Sequence, residues 1–173
     1  MIMKSNVLIT GKPGTGKTTA IKKVVDHLNS SSIAGFWSRE MREEGRRVGF
    51  AIETLSGKVG TLAHVNLKRG PKVSKYRVNI KNIDSIIIPE LKIARESDQI
   101  IIIDEIARME LFSENFAVEV RRCLDTKRVI GTIQERRLPF IEEVRSRTDV
   151  KLIELTISNR DQVPLQILRY LGI

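Results

Sequence analysis

Gly11-Lys12-Pro13-Gly14-Thr15-Gly16-Lys17-Thr18 follows the apolar run Val7-Leu8-Ile9 and precedes a segment with helical periodicity. Glycines at these positions let the backbone bend and bring its N–H groups close to an anion. The helix that follows presents its positive N-terminal end to the same point. The G-x-x-x-x-G-K-[ST] spacing then ends on a lysine that reaches β- and γ-phosphates and a hydroxyl that holds Mg²⁺. Gly11 to Thr19 are therefore read as a phosphate-binding loop, with Lys17 also counted as catalytic and Thr18 as a metal ligand. A glycine-rich turn without this role would not need a strand before it and a helix after it.

A phosphate loop alone does not separate hydrolysis, phosphoryl transfer and nucleotide-driven switching. Gln99-Ile100-Ile101-Ile102-Ile103-Asp104-Glu105 supplies the second half of the site. Four consecutive isoleucines read as a strand buried on both faces, and acids at its C-terminal end lie where parallel sheets bind ligands. Asp104 suits the metal, with Mg²⁺ the expected cofactor, and Glu105 suits the orientation and polarisation of an attacking water. Ile103, Ile106 and Ala107 are counted with them at the nucleotide site. A kinase must exclude water from the γ-phosphate, whereas a hydrolase keeps a base beside it. The alternative is that the two acids only cap the next helix.

Further residues could join this site. Thr132 or Gln134, closing the Val129-Ile130 strand, would sense the γ-phosphate or hold the water. Arg108, Arg136 and Arg137 are candidates to neutralise charge on the transferred phosphoryl group; each has a solvated arginine as its alternative. Asn159 and Arg160 open the last helix, where Arg160 would stack on the base and Asn159 would bind it or cap the helix. Glu110 is a reserve candidate for positioning water.

Around these residues the chain alternates strands and helices. Val7-Leu8-Ile9 leads into a helix whose Ala20, Ile21, Val24, Val25 and Leu28 share one face, ending near Asn29. Residues 30–32 read as a loop. Strand-like stretches follow at 33–41, 47–54 and 59–64, with turns at 43–45 and 55–58, and then a basic loop at 68–72 before a strand at Tyr76. Residues 82–96 read as a helix interrupted near Pro89. Beyond the Asp104 strand come a helix capped by Ser113 and running to Leu124, a strand at 128–133, a helix at 139–145, a strand at 150–155 and a helix at 159–171. The expected fold is an α/β, RecA-like, doubly wound, mostly parallel sheet with an added antiparallel meander. One domain is expected over residues 1–173, with 33–80 as the inserted meander.

At 173 residues the chain is long enough for one substantial core. Its single Cys123 excludes an intramolecular disulfide and suits a reducing cytoplasm. With no apolar run near 18 residues and the first strand starting almost at Met1, neither a membrane span nor a signal peptide is expected. Charge-rich, isoleucine-rich, glutamine-poor composition is of the kind found in thermophiles. The formal charge of +9 keeps nucleic acid open as a partner. Few aromatics interleave the basic residues in sequence, however, so a stacking platform for single strands is not expected, and a cationic funnel for a triphosphate explains part of the excess. A nucleic-acid-dependent ATPase and a nucleotide kinase remain the alternatives to hydrolysis of free nucleoside triphosphates. The meander is unlike the helical acceptor region of a monophosphate kinase. A monomer is expected.

The segment Asp104-Glu105-Ile106-Ala107-Arg108-Met109-Glu110-Leu111 resembles the D-E-I-G-K-M-E-L stretch of the small P-loop nucleoside-triphosphatases of thermophiles and their vertebrate, cancer-related relatives. Gly35-Phe36 with Glu40, Arg42, Gly45, Arg46, Arg47, Val48, Gly49 and Phe50 is similar to that family's hairpin. Val73 to Val78 is similar to its V-G-K-Y-x-V strand, and Thr156 with Asn159-Arg160 to its T-x-x-N-R. The resemblance covers nearly the whole chain and implies slow, Mg²⁺-dependent hydrolysis of nucleoside triphosphates to diphosphates, with little preference for the base. Ala107 and Ser74 replace glycines of the pattern, so a positive φ at either would be strained. Arg108 replaces a lysine, exchanging a point charge for a planar fork.

Overall fold

A computed structural model describes residues 5–173. Strands β1 (Asn6–Thr10), β2 (Ile33–Glu43), β3 (Arg46–Thr54), β4 (Val59–His64), β5 (Lys72–Val73), β6 (Tyr76–Val78), β7 (Ile100–Ile106), β8 (Val129–Ile133) and β9 (Val150–Glu154) form one sheet, ordered β5-β6-β4-β3-β2-β7-β8-β1-β9. The half from β2 to β9 is parallel, and β3 to β6 extend it by antiparallel pairing. One strand, β8, separates the strand before the Gly11–Thr18 loop from the strand bearing Asp104 and Glu105. That is the RecA-like order, with the meander joined to the same sheet.

Period-two alternation divides the isoleucine run between two cores. Ile101 and Ile103, with Leu8 of β1, face α3 (Ile88–Glu96), α4 (Glu114–Asp125) and α5 (Pro139–Arg145). Ile100 and Ile102, with Val7 and Ile9, face α1 (Lys17–Val25) and α6 (Val163–Leu171). All four isoleucines are buried, as a strand covered on both faces requires. Ser113 caps α4 by accepting from Phe116 N–H. Cys123 lies inside the first of these cores, where burial pushes its thiol up to about 12.

Several boundaries differ from the sequence reading. The first helix stops at Val25, and residues 30–32 form a 3₁₀ turn whose entry is closed by Asn29 accepting from Ser31 N–H. Residues 80–96 are helical throughout, beginning with α2 (Ile80–Asn82) and passing through a π-helical stretch, Ile83–Ile87, into α3. Pro89 has no N–H to give and crowds the carbonyl four residues back; it sits in the first turn of α3, just after the wider π segment absorbs that misfit. The single strand expected from the family resemblance over 73–78 is a hairpin, β5 turning into β6 at Ser74-Lys75, with Ser74 at φ 54°. Ala107, by contrast, is not among the positive-φ residues, so the loss of a glycine there costs nothing in backbone strain. The last helix begins at Val163 instead of Asn159.

The entrance to β1 depends on one buried amide. Asn6 is fully buried; its Nδ2 donates to Leu124 O at 2.9 Å and Asp149 O at 3.1 Å, and its Oδ1 accepts from Val129 N–H at 3.0 Å. The amide thus joins the end of α4 to the starts of β8 and β9. Asn6→Ala would leave Val129 N–H buried without its partner and take one hydrogen bond each from Leu124 O and Asp149 O, which keep Lys127 N–H and Asn6 N–H, and is expected to cost about 2–3 kcal/mol. Urea unfolding of both proteins measures it, and a loss below about 1 kcal/mol would contradict this role.

Candidate active site

The loop between β1 and α1 turns on glycines at positive φ. Gly11 has φ 149°, and a Cβ there would stand 2.4 Å from Leu155 O; Gly14 has φ 81°. Thr15 closes the bend, its hydroxyl donating to Lys12 O at 2.9 Å. Lys17 folds back over the loop, with Nζ donating to Gly11 O at 2.9 Å and lying 3.9 Å from Glu105 Oε1. Lys12, Pro13 and Thr19 are exposed around this ring.

Asp104, near the C-terminal end of β7, has only 2% of its surface exposed, and its two oxygens are taken by two different elements. Thr18, in the first turn of α1, donates to Oδ2 at 2.7 Å, and Thr132, from β8, donates to Oδ1. Burial raises the Asp104 carboxyl above its usual range, while the Thr132 and Thr18 hydroxyls oppose that rise. Glu105 is partly exposed; burial pushes it up to about 7, with Lys17 pulling it down and the Asp104 charge adding to the rise.

Glu105 opens into a chamber of about 170 Å³, lined also by Ala107, Arg108, Met109, Glu110, Gln134 and Arg136. Gln134 holds the floor: its N–H donates to Ile106 O, and its Oε1 accepts from Arg108 N–H at 3.1 Å. The amide side chain therefore braces the β7 exit. Arg136 reaches the chamber from an exposed loop, and Arg137 is exposed in the same loop. Ile103 and Ile106 are buried in β7 behind the acids.

The far side of the loop is a hollow lined by Lys12, Thr15 and the stretch from Glu154 to Ser158. Asn159 shapes this stretch: its Oδ1 accepts from Thr156 N–H and its Nδ2 donates to Glu154 O. Asn159 thus closes a loop and does not cap α6, whose first residue lies four positions on. Arg160 is exposed beside it.

Two polar residues escaped the sequence reading of roles. Arg145, at the end of α5, donates to Thr10 Oγ1 at 2.9 Å and to Gln134 O at 3.2 Å, clamping the ends of β1 and β8. A basic residue in a last helical turn gave no sign of that. Glu110, treated only as a reserve, is 3% exposed, with Oε2 lacking a protein partner. Burial pushes its carboxyl up to about 8, helped by the charges of Glu105 and Asp104.

Three comparisons bear on this arrangement. A family model described as NTPase matches residues 6–168. The nucleoside-triphosphatase THEP1 of Thermotoga sp. (strain RQ2) is 42% identical over 166 residues, covering 95% of this chain and 94% of that protein. The crystal structure of THEP1 from Aquifex aeolicus superposes with a TM-score of 0.87 at 36% identity, covering 97% of this chain and 99% of the other. The solution structure of a human cancer-related nucleoside triphosphatase gives 0.82 at 36% identity, covering 96% and 97%. The chain belongs to this NTPase family.

A carboxyl whose folded pKa is raised above its unfolded value contributes stability that is complete at low pH and lost as pH climbs through the folded pKa. Glu110 near 8 therefore makes the fold weaken between about pH 5 and pH 8. Glu110→Gln should remove its share of that slope, gaining roughly 2–4 kcal/mol over the parent at pH 8 relative to pH 5. Parallel pH-stability curves for the two proteins would contradict the assignment of a proton to this carboxyl.

Proposed function

We infer that the protein hydrolyses nucleoside triphosphates to diphosphate and phosphate, with the phosphates in the Gly11–Thr18 loop and Glu105 as the group that polarises water. The observation that carries this reading is the placement of two carboxylates in unlike settings at the end of β7. Asp104 is buried and hydrogen-bonded by two threonine hydroxyls, while Glu105 is partly open, faces a chamber and stands 3.9 Å from Lys17.

The loop N–H groups and the N-terminal end of α1 favour the triphosphate's oxygens. Lys17 adds the one side-chain cation fixed inside the loop, and its nearness to Glu105 links the γ-phosphate position to the base. Thr18 and Asp104 offer hard oxygen donors side by side, a set that suits Mg²⁺ shared with phosphate oxygens. Among the described residues no group of three or more His, Cys, Asp or Glu side chains could form a closed cage, in keeping with a metal that arrives with its nucleotide. Mg²⁺, when bound, neutralises charge on the β- and γ-oxygens. Glu105 takes a proton as water attacks the γ-phosphorus, and Arg108 and Arg136 line the space where negative charge grows.

Breadth toward the base follows from the hollow beside Lys12 and Thr15, which offers the exposed side chain of Ile157 and a loop whose Asn159 amide is already spent on backbone. An aliphatic contact does not discriminate between bases. No helix among the described residues is long and apolar enough to cross a membrane.

Purified protein with Mg²⁺ should release phosphate from ATP, GTP, CTP and UTP without any acceptor. Transfer of the phosphoryl group to a monophosphate, with little free phosphate, would overturn the reading. Lys17→Ala should weaken triphosphate affinity at least about tenfold as well as turnover, since a charge-assisted contact to phosphate is lost. Calorimetry checks this, and unchanged affinity would mean that the loop does not cradle the nucleotide.

A further inference from the structure

The meander assembles a second concave site that the hydrolytic reading does not use. Residues 33–80 carry ten Lys and Arg against four Asp and Glu, so they hold +6 of the chain's +9. Part of this charge converges on a pocket of about 550 Å³ lined by Arg42, Arg47, Phe50, Ser74, Lys75 and Tyr76, with Val73 and Met109 at its base.

The cations there are ordered before any ligand arrives. Glu40 accepts from Arg42 through Nε and Nη2 and from Arg47 through Nη1, while Arg47 Nε donates to Tyr76 Oη at 3.0 Å. One carboxylate thus orients two guanidiniums, and with Lys75 the cluster stays net positive. Arg42 has its Nε–Nη2 edge on Glu40 and its Nη1 on Gly45 O. Among the described residues of the cluster, Arg47 Nη2 and Lys75 Nζ are therefore the cationic donors left for a phosphate, with Arg47 already held in place so that less side-chain entropy is lost on binding. The aromatic part is held in place as well: Phe50 packs edge to face at 5.3 Å on Tyr76, which is only 4% exposed and covered by Arg47 and Lys75, so Phe50 is the ring of the pair that remains partly exposed.

Ser74 adds an independent observation. It turns the β5-β6 hairpin at φ 54°, a conformation glycine adopts at no steric cost, yet this chain places a hydroxyl there on the pocket wall. The pocket also shares Phe50, Val73 and Met109 with the Glu105 chamber, and Met109 lies on the segment that leaves β7. An occupant would therefore sit one side chain away from the hydrolytic site.

We propose that this pocket binds a second ligand of mononucleotide size, a phosphate joined to an aromatic ring. The phosphate lies among Arg42, Arg47, Lys75 and the Ser74 hydroxyl, and the ring lies against Phe50, the partly exposed ring of the aromatic pair. The size of the aromatic surface decides between this ligand and a nucleic-acid strand. One partly exposed ring in a concavity serves a single base, whereas a single strand needs a run of platforms along a groove. The site does not depend on the role of Glu105.

The test uses Lys17→Ala protein, in which the phosphate loop is weakened, and calorimetric titration with adenosine 5′-monophosphate, adenosine, ribose 5-phosphate and inorganic phosphate. Adenosine monophosphate should bind more tightly than ribose 5-phosphate or phosphate, with adenosine weakest. Adding Arg47→Ala should weaken it at least about tenfold, and Lys75→Ala about threefold to tenfold. Ser74→Gly keeps the turn and should also weaken binding about threefold or more while leaving the melting temperature unchanged or higher, a split that a purely structural serine would not give. No binding of adenosine monophosphate at millimolar concentration overturns the proposal. So does equal affinity in the Arg47, Lys75 and parent backgrounds, or binding confined to RNA oligonucleotides with affinity rising with length.

Discussion

A carboxylate that is almost fully buried must be hydrogen-bonded on both oxygens, and at Asp104 the two donors come from opposite sides of the site. Thr18 belongs to the helix that follows the phosphate loop, and Thr132 to the strand between the loop strand and the acid strand. The three residues therefore tie the two halves of the site together, a contact that the sheet order makes possible. With β8 between β1 and β7, a hydroxyl on each side reaches the same carboxylate. Gln134 and Arg145 extend this bracing to the ends of β7, β8 and β1.

With Asp104 engaged in that way, Glu105 is left as the carboxylate that faces open space. Lys17 is its near cation, and Glu110 lies buried behind the chamber they share. A second acid at that depth is tolerated only with a proton on it, so the region carries less negative charge than its residue types suggest. The meander has a different place in this scheme. It lengthens the sheet beyond β2 and brings Phe50, Val73 and Met109 to the chamber wall, so its basic outer surface and the acids of β7 are separated by a single layer of side chains.

What could be read from the sequence was whatever a spacing encodes. The glycines and Lys17-Thr18 define their loop by position alone, and the isoleucine run announces burial on both faces because period-two alternation leaves neither face polar. Asp104 and Glu105 were legible through their place at the end of that run. Features set by tertiary contact were not. Asn6 is one polar residue before an apolar strand, and nothing nearby in sequence signals its three buried partners. Arg145 and Glu110 occupy positions that in most chains are solvated. The aromatics among the basic residues were also missed, because Phe50 and Tyr76 are separated by 26 positions and meet only when β3 and β6 both pair with β4. Pro89 was seen as an interruption, yet a π segment next to it lets the helix continue.

The division of labour between the two carboxylates is most directly tested by measuring ATP affinity and single-turnover hydrolysis side by side in Asp104→Asn and Glu105→Gln. Glu105→Gln should bind ATP with Mg²⁺ nearly as the parent does while turnover falls by about 10²–10⁴, the range for loss of a general base. Asp104→Asn should lose Mg²⁺-dependent affinity and turnover together. Hydrolysis by Glu105→Gln at close to the parent rate would contradict the account, since the carboxylate facing the chamber would then not be the one that handles water.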